Sequence, residues 1–356
     1  MAGKKKYLAI GIILLMTVCM QTGCGATMQS KEVKSMKIGI TVYNQYDTFV
    51  SQLMDNFHNY VTEMEENQGI DIIVDMYNAS NSQTTQNEQV KEMIEDGCDV
   101  ICVNLVDRTE PTTIIDLAEK NDVPVIFFNR ELVEEDLERW ERLYYVGATA
   151  LESGIMEGEI AAEVFQKDSK VDKNGDGVFQ YIVLEGEAGH QDAIVRTEYS
   201  VTTIIEQGVK VEKLGYAIAN WNRAQAQTKM THILAEYEED LELVLANNDD
   251  MALGAIDALK AAEIPQEEWP VIVGIDGTDV GLEAVRNGEM AGTVYNDKEG
   301  QAKAMLNLAY QLYMGANLED LNLENGKYIR LPHTKVEPDD VDKFFHSQSF
   351  DNTPHT

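Results

Sequence analysis

Between positions 172 and 180 the chain reads D-K-N-G-D-G-V-F-Q, with side-chain oxygens at the alternating positions Asp172, Asn174 and Asp176. That spacing matches the opening of an EF-hand loop, D-x-[DN]-x-[DN]-G, and Gly177 sits where such a loop must turn sharply. Val178 offers its backbone carbonyl at the seventh position, and Gln180 an amide oxygen at the ninth. Oxygen donors of this kind suit a hard cation of flexible coordination such as Ca²⁺. The twelfth position, where a bidentate Glu would close the loop, is Val183, inside an apolar, β-branched run at 180–184 that reads as a strand. The missing carboxylate must come from elsewhere in the chain. The plainer alternative is an Asp/Asn/Gly surface turn that holds no metal.

A second group follows that strand. His190, Asp192 and Arg196 fall at a strand-to-helix turn, and the four-residue spacing of Asp192 and Arg196 places them on one helix face. The plain reading here is a helix-start Asp in a surface ion pair. The same arrangement recurs along the chain. Asp47 and Phe49 follow the first strand, Asn129 and Arg130 follow 123–128, and Trp221 follows 210–216 between two Asn. Asn248 follows 243–246, Asp276 follows 271–274, and Asn296 follows 291–295. Each Asn or Asp taken alone is a turn former. Seven such turns at one sheet edge indicate a ligand crevice, because open α/β sheets bind ligands beyond the carboxyl ends of their strands.

The elements that must position these residues alternate regularly. Strands are expected at 37–42, 70–76, 100–103 and 123–128, with helices at 50–67, 82–96 and 112–120 between them. A second set follows 144–147: helices at 153–165, 193–207, 224–236 and 251–261, and strands at 181–184, 210–216, 243–246 and 271–274. A short strand at 291–295 and a helix at 297–314 close it. The βαβ rhythm predicts an α/β protein of two doubly wound, Rossmann-like lobes with a cleft between them. The expected division is 37–146 plus 297–331 for one lobe and 147–296 plus 332–346 for the other. Three hinge crossings are expected near 146–147, 295–296 and 332–333, with a tail at 347–356.

Composition narrows the function classes. With 356 residues, two domains are expected, and a net charge of −34 argues against nucleic acid. Lys4, Lys5 and Lys6 precede an apolar stretch at 7–20 that is short for a membrane span, so 1–23 reads as a signal peptide. It runs into Gln21-Thr22-Gly23-Cys24, similar to a bacterial lipobox, which makes Cys24 a lipidation site and 24–36 a tether to the membrane. Cys98 and Cys102, read as lying on one strand, would be roughly 13 Å apart, too far for a disulfide. No GxGxxG after a strand and no P-loop is present, which argues against a nucleotide site.

A monosaccharide fits the polar set. Its ring has two apolar faces for Phe49 and Trp221, and its hydroxyls both donate and accept. Asp47, Asp192 and Asp276 would accept, Arg196 would donate in a fork, and Asn129, Asn248 and Asn296 would do both. The motifs VYNQYDTF, VPVIFFNRE, YYVGA, DKNGDGVFQ, EGEAGHQDAIVR, WNRAQAQ, ELVLANNDDMALGA, VGIDG and AGTVYND resemble the bacterial glucose/galactose-binding proteins, type I periplasmic solute-binding proteins of sugar ABC transporters. The resemblance runs over nearly all of 36–345. It implies that Asp47, Asn129, His190, Asp192, Arg196, Asn248, Asp276 and Asn296 hydrogen-bond a hexose while Phe49 and Trp221 stack on it. It also implies a structural calcium site of Asp172, Asn174, Asp176, the Val178 carbonyl, Gln180 and Glu242, the last supplying the missing carboxylate and tying the loop to the far lobe.

The implied partners are glucose or galactose and an ABC permease. The chain would act as a monomer, and the family's second role, docking on a chemoreceptor, is another implied contact. Departures are Val178 in place of a polar residue, a slightly longer 263–269 stretch, and the lipobox. A receptor for a pentose or a signalling molecule is the alternative within this class. A glycosidase using Asp47 and Asp192 as acid and base lacks a nucleophile motif, and a repressor of similar fold would need a helix-turn-helix where the signal stands.

Overall fold

Four apolar residues in a row, Val125–Phe128, are fully buried, as a strand becomes when helices cover both faces of its sheet. The computed structural model describes residues 35–321 and 323–345. The expected signal peptide, Cys24, positions 24–34 of the tether and the tail at 347–356 lie outside the described residues.

Two six-stranded sheets form. The first takes β1 (Ser35–Val42), β2 (Asp71–Asn78), β3 (Val100–Val103), β4 (Val125–Phe128), β5 (Leu143–Gly147) and β11 (Tyr328–Arg330). Its order is β11-β5-β4-β3-β1-β2, parallel throughout. The second takes β6 (Val178–Glu185), β7 (Lys210–Ile218), β8 (Leu243–Ala246), β9 (Val271–Asp276), β10 (Gly292–Asn296) and β12 (His333–Val336). Its order is β12-β10-β9-β8-β6-β7, and only the β10–β12 pair is antiparallel. The order reverses between β1 and β3 in one sheet and between β6 and β8 in the other. These are switch points, where a crevice opens beyond the strand ends.

Each sheet is covered on both faces. Leu53 and Phe57 of the Thr48–Gln68 helix and Met305 of the Lys298–Met314 helix pack on one side of the first sheet, and Met93 and Ile115 on the other. Ile160 and Ile204 pack on one side of the second sheet, and Met230 and Leu259 on the other. The chain passes between lobes three times. It goes from β5 into the Ala150–Lys167 helix, from β10 into the Lys298–Met314 helix, and from β11 directly to β12.

Some details differ from the sequence reading. β1 begins two residues before 37, because Met36 is apolar, buried and paired with Ile72. Gly147 belongs to the first sheet, opposite Arg330. Cys98 precedes β3 instead of lying in it, although both Cys98 and Cys102 are buried free thiols, which burial pushes up to about 11 and about 12. The Asp279–Arg286 helix was not expected; Thr278 caps it by accepting from the Gly281 N–H.

Candidate ligand-binding cleft and metal loop

The turns past the strands converge on a cleft between the lobes. Tyr43, Asp47, Phe49, Asn129 and Arg130 line it from the first lobe, and His190, Asp192, Arg196, Trp221, Asn248 and Asp276 from the second. Asn296 lines a smaller pocket at the hinge end with Gln301 and His333, and Asn129, Asp192 and Arg196 border both. All ten residues singled out from the sequence for a ligand role therefore line one or other of two pockets that share three border residues.

Several serve the local fold as well. Asp47 caps the Thr48–Gln68 helix through Oδ1, which accepts from the Val50 N–H at 2.9 Å, while Oδ2 accepts from the Tyr43 hydroxyl at 2.5 Å. Asn248 caps the Asp249–Ala261 helix by accepting from the Met251 N–H at 3.0 Å. His190 caps the Gln191–Glu206 helix, its Nδ1 accepting from the Asp192 N–H at 3.2 Å. These are the turn and cap roles of the plain reading. They coexist with a cleft position because helix starts follow the carboxyl ends of the strands.

The backbone at the cleft is held in uncommon conformations. Asn129, Trp221 and Asp276 have φ of 60°, 60° and 118°, a region that L-residues seldom enter and that collects at ligand sites. The Trp221 ring lies against the bare Cα of Gly186, where any Cβ would collide with it, and meets the His190 ring edge-on at 5.3 Å.

Arg196 is not in a surface ion pair with Asp192. It is buried, donates from Nη1 to the Asn247 carbonyl at 2.7 Å, and stands 3.6 Å from Asp276. Burial pushes the Asp276 carboxyl well above its usual range despite that guanidinium. Burial pushes His190 down to about 4, so its ring is neutral near pH 7. Because Nδ1 accepts, the ring proton is assigned to Nε2, and Nε2 is buried without a partner. Arg196 Nε, His333 Nε2 and Gln301 Oε1 share that condition. Buried polar atoms left over in this way cost free energy unless something pairs them. Across the cleft, Arg130 meets Glu187 at 3.0 Å, Thr48 donates to Asp250 at 2.7 Å, and Lys298 donates to the Gly277 carbonyl at 2.8 Å.

The 172–180 loop lies at the opposite end of β6. Asp172 accepts from the N–H groups of Gly175, Asp176 and Gly177, and Asn174 also accepts from the Asp176 N–H. Glu242, just before β8, reaches over the loop and accepts from the N–H of Lys173 at 2.5 Å and of Gln180 at 3.2 Å. The donors fit a cation in one telling respect: Gln180 Oε1 is buried without a partner, while its Nε2 donates to Asp176. Burial first, then the charge of Asp172, pushes Glu242 above the usual carboxylate range. Among the described residues no three His, Cys, Asp or Glu side chains come together as a metal group. One expectation is corrected: the loop precedes β6 and Glu242 precedes its neighbour β8, so Glu242 ties the loop within the second lobe, not to the far one.

A model of the periplasmic binding protein domain matches residues 38–317. The chain belongs to that family. It is 32% identical over 336 residues to the D-galactose/methyl-galactoside binding periplasmic protein of Haemophilus influenzae, covering 93% of this chain and 98% of that one. It is 30% identical over 295 residues to a putative rhizopine-binding protein of Rhizobium meliloti, covering 83% and 90%. Among solved structures, an ABC transporter solute binding protein from Bacillus halodurans with bound myo-inositol superposes with a TM-score of 0.73 at 26% identity, covering 88% and 99%. The family is one of solute-binding proteins, not enzymes.

Within this periplasmic binding protein, the sequence reading passed over four cleft residues. Tyr43 lies inside the motif VYNQYDTF, with nothing to mark it apart from its neighbours. Arg130 was noted but given no role; it donates to the Val106 carbonyl at 2.9 Å and stacks 3.5 Å over the Tyr43 ring. Gln301 sits inside an ordinary helical stretch, and His333 was placed only at the hinge. Nothing local marks either one, because their positions follow from the crossings between lobes.

Proposed function

We propose that the protein is an extracytoplasmic sugar-binding component of an ABC importer, which captures glucose or galactose in the interlobe cleft and delivers it to the permease. The observation that carries this is the cleft itself: Phe49 and Trp221 among three carboxylates, two arginines and three asparagines, with buried donors and acceptors left over. A hexose presents apolar ring faces and hydroxyls that give and take hydrogen bonds, so it pairs such a set as few other solutes do. The 32% identity to a galactose-binding relative supports the same choice. The contacts across the cleft support capture by closure of the lobes about the three crossings.

Two further parts of the reading go with it. A Ca²⁺ ion would be held by Asp172, Asn174, Asp176, the Val178 carbonyl, Gln180 and Glu242, supported by the leftover Gln180 Oε1 and the loop spacing; its role is structural. Cys24 would carry a lipid that anchors the protein at the membrane surface, supported by the basic and apolar run before it. A different ring polyol is the second reading, favoured by the myo-inositol bound in the solved structure at 26% identity. Tryptophan fluorescence titration of the chain from about Ser30 with D-glucose, D-galactose, D-ribose, L-arabinose and myo-inositol separates the two. Saturation by a hexose at the lowest concentration supports the first reading, and saturation by myo-inositol alone replaces it.

A further inference from the structure

The small pocket at the hinge end of the cleft has room for about one water-sized oxygen, yet three buried polar groups without partners border it. His333 is 4% exposed, and its Nδ1 lies 3.2 Å from Glu152 Oε2. A carboxylate only accepts, so the proton is assigned to Nδ1 and Nε2 is left as an acceptor without a partner. Gln301 is 1% exposed; its Nε2 donates to Asn296 Oδ1 at 2.6 Å, which leaves Oε1 as a second acceptor without a partner. Arg196 Nε is the matching donor. His333 belongs to β12 of the second lobe, and Gln301 to the Lys298–Met314 helix of the first. The pocket is therefore assembled from both lobes.

We propose that His333 and Gln301 form a second recognition subsite that takes one hydroxyl of the ligand, whose single hydrogen is shared between the two acceptors in a three-centre bond while its oxygen accepts from Arg196 Nε. The subsite fixes which ring position points toward the hinge. It rejects a ligand lacking that hydroxyl, because two buried acceptors are left unpaired, and rejects a methyl ether there for want of both a hydrogen and space. This inference rests on the reading of the cleft as a sugar site.

The test is a titration of wild-type protein, Gln301→Met and His333→Phe with the preferred hexose and with its monodeoxy and mono-O-methyl derivatives at each ring position. For the wild type, one position should show a deoxy penalty of roughly ten- to a hundredfold, with the methyl ether at least as poor. In both variants that penalty should collapse while the penalties at other positions persist. Penalties that stay the same at every position in both variants overturn the subsite. A wild type that binds no hexose at all overturns the functional reading instead, so the two failures are distinct. If a variant does not fold, the ¹⁵N resonance of His333 Nε2 in the wild type gives the same answer. It should shift with the parent sugar and not with the penalised deoxy sugar, and an equal shift with both counts against the subsite.

Discussion

β6 and β8 each carry a candidate site at either end. At their amino ends, Gln180 and Glu242 close over the 172–180 loop; at their carboxyl ends, the turn holding His190 and Asp192, and Asn248, face the cleft. The eight residues of β6 put roughly 25 Å between them, at about 3.3 Å per residue. The loop is local, and most of its oxygens are taken up by its own N–H groups, with Gln180 Oε1 left over. The cleft draws on both lobes and leaves four buried polar atoms without partners. The proposed ion at the loop would complete a set that is already nearly satisfied. The proposed hexose in the cleft would pair the surplus donors and acceptors.

The largest effect should come from Arg196→Ala. It strands the buried Asp276 carboxyl, and breaking such a pair costs about 3–5 kcal/mol. Hexose affinity measured by calorimetry should fall at least a hundredfold, while calcium affinity measured with a competing indicator stays the same. Equal damage at both ends would break the comparison.

The proposed calcium would act at the other end. An ion present at a hundred times its Kd adds about 2.7 kcal/mol, so a chelator should lower the melting temperature by roughly 5–10 °C for a domain of this size. The hexose Kd should move less than about threefold, since the two sites are a strand length apart. Loss of sugar binding by a protein that is still folded would show that the ends are coupled.

The third prediction concerns pH. Burial lowers His190 from 6.5 to about 4, so between these values the unfolded chain holds the proton that the folded one refuses. That contribution to stability is full above pH 6.5 and is lost as pH falls toward 4. Compared with His190→Gln, the wild type should lose melting temperature progressively from pH 6.5 to 4. Parallel curves would mean that His190 is not held neutral.

The smallest effect should be Glu187→Gln at the cleft mouth. Its partner Arg130 is buried, but Glu187 itself is partly exposed, so solvent screens the pair. The hexose Kd should rise about threefold to fivefold, in line with a loss of under about 1 kcal/mol.

These differences follow what was legible in the sequence. The loop could be read from spacing alone, because all but one of its donors lie within nine residues. The alternation of strands and helices and the seven turns could be inferred from the βαβ rhythm, and the ten cleft residues from those turns together with the family resemblance. His333 and Gln301 could not, since their place in the cleft depends on two crossings of the chain between lobes. The direction of the Glu242 tie was misread for a similar reason: a carboxylate more than sixty residues away in sequence is next door once β6 and β8 pair.

The central claim is that a hexose occupies the cleft between Phe49 and Trp221. Calorimetric titration of D-glucose and D-galactose into the wild type, Trp221→Ala and Asp192→Ala tests it most directly. The account predicts tight one-to-one binding of at least one hexose to the wild type, weakened at least about a hundredfold in both variants. Binding of undiminished strength in both variants, or no heat with either hexose from a folded wild type, would contradict it.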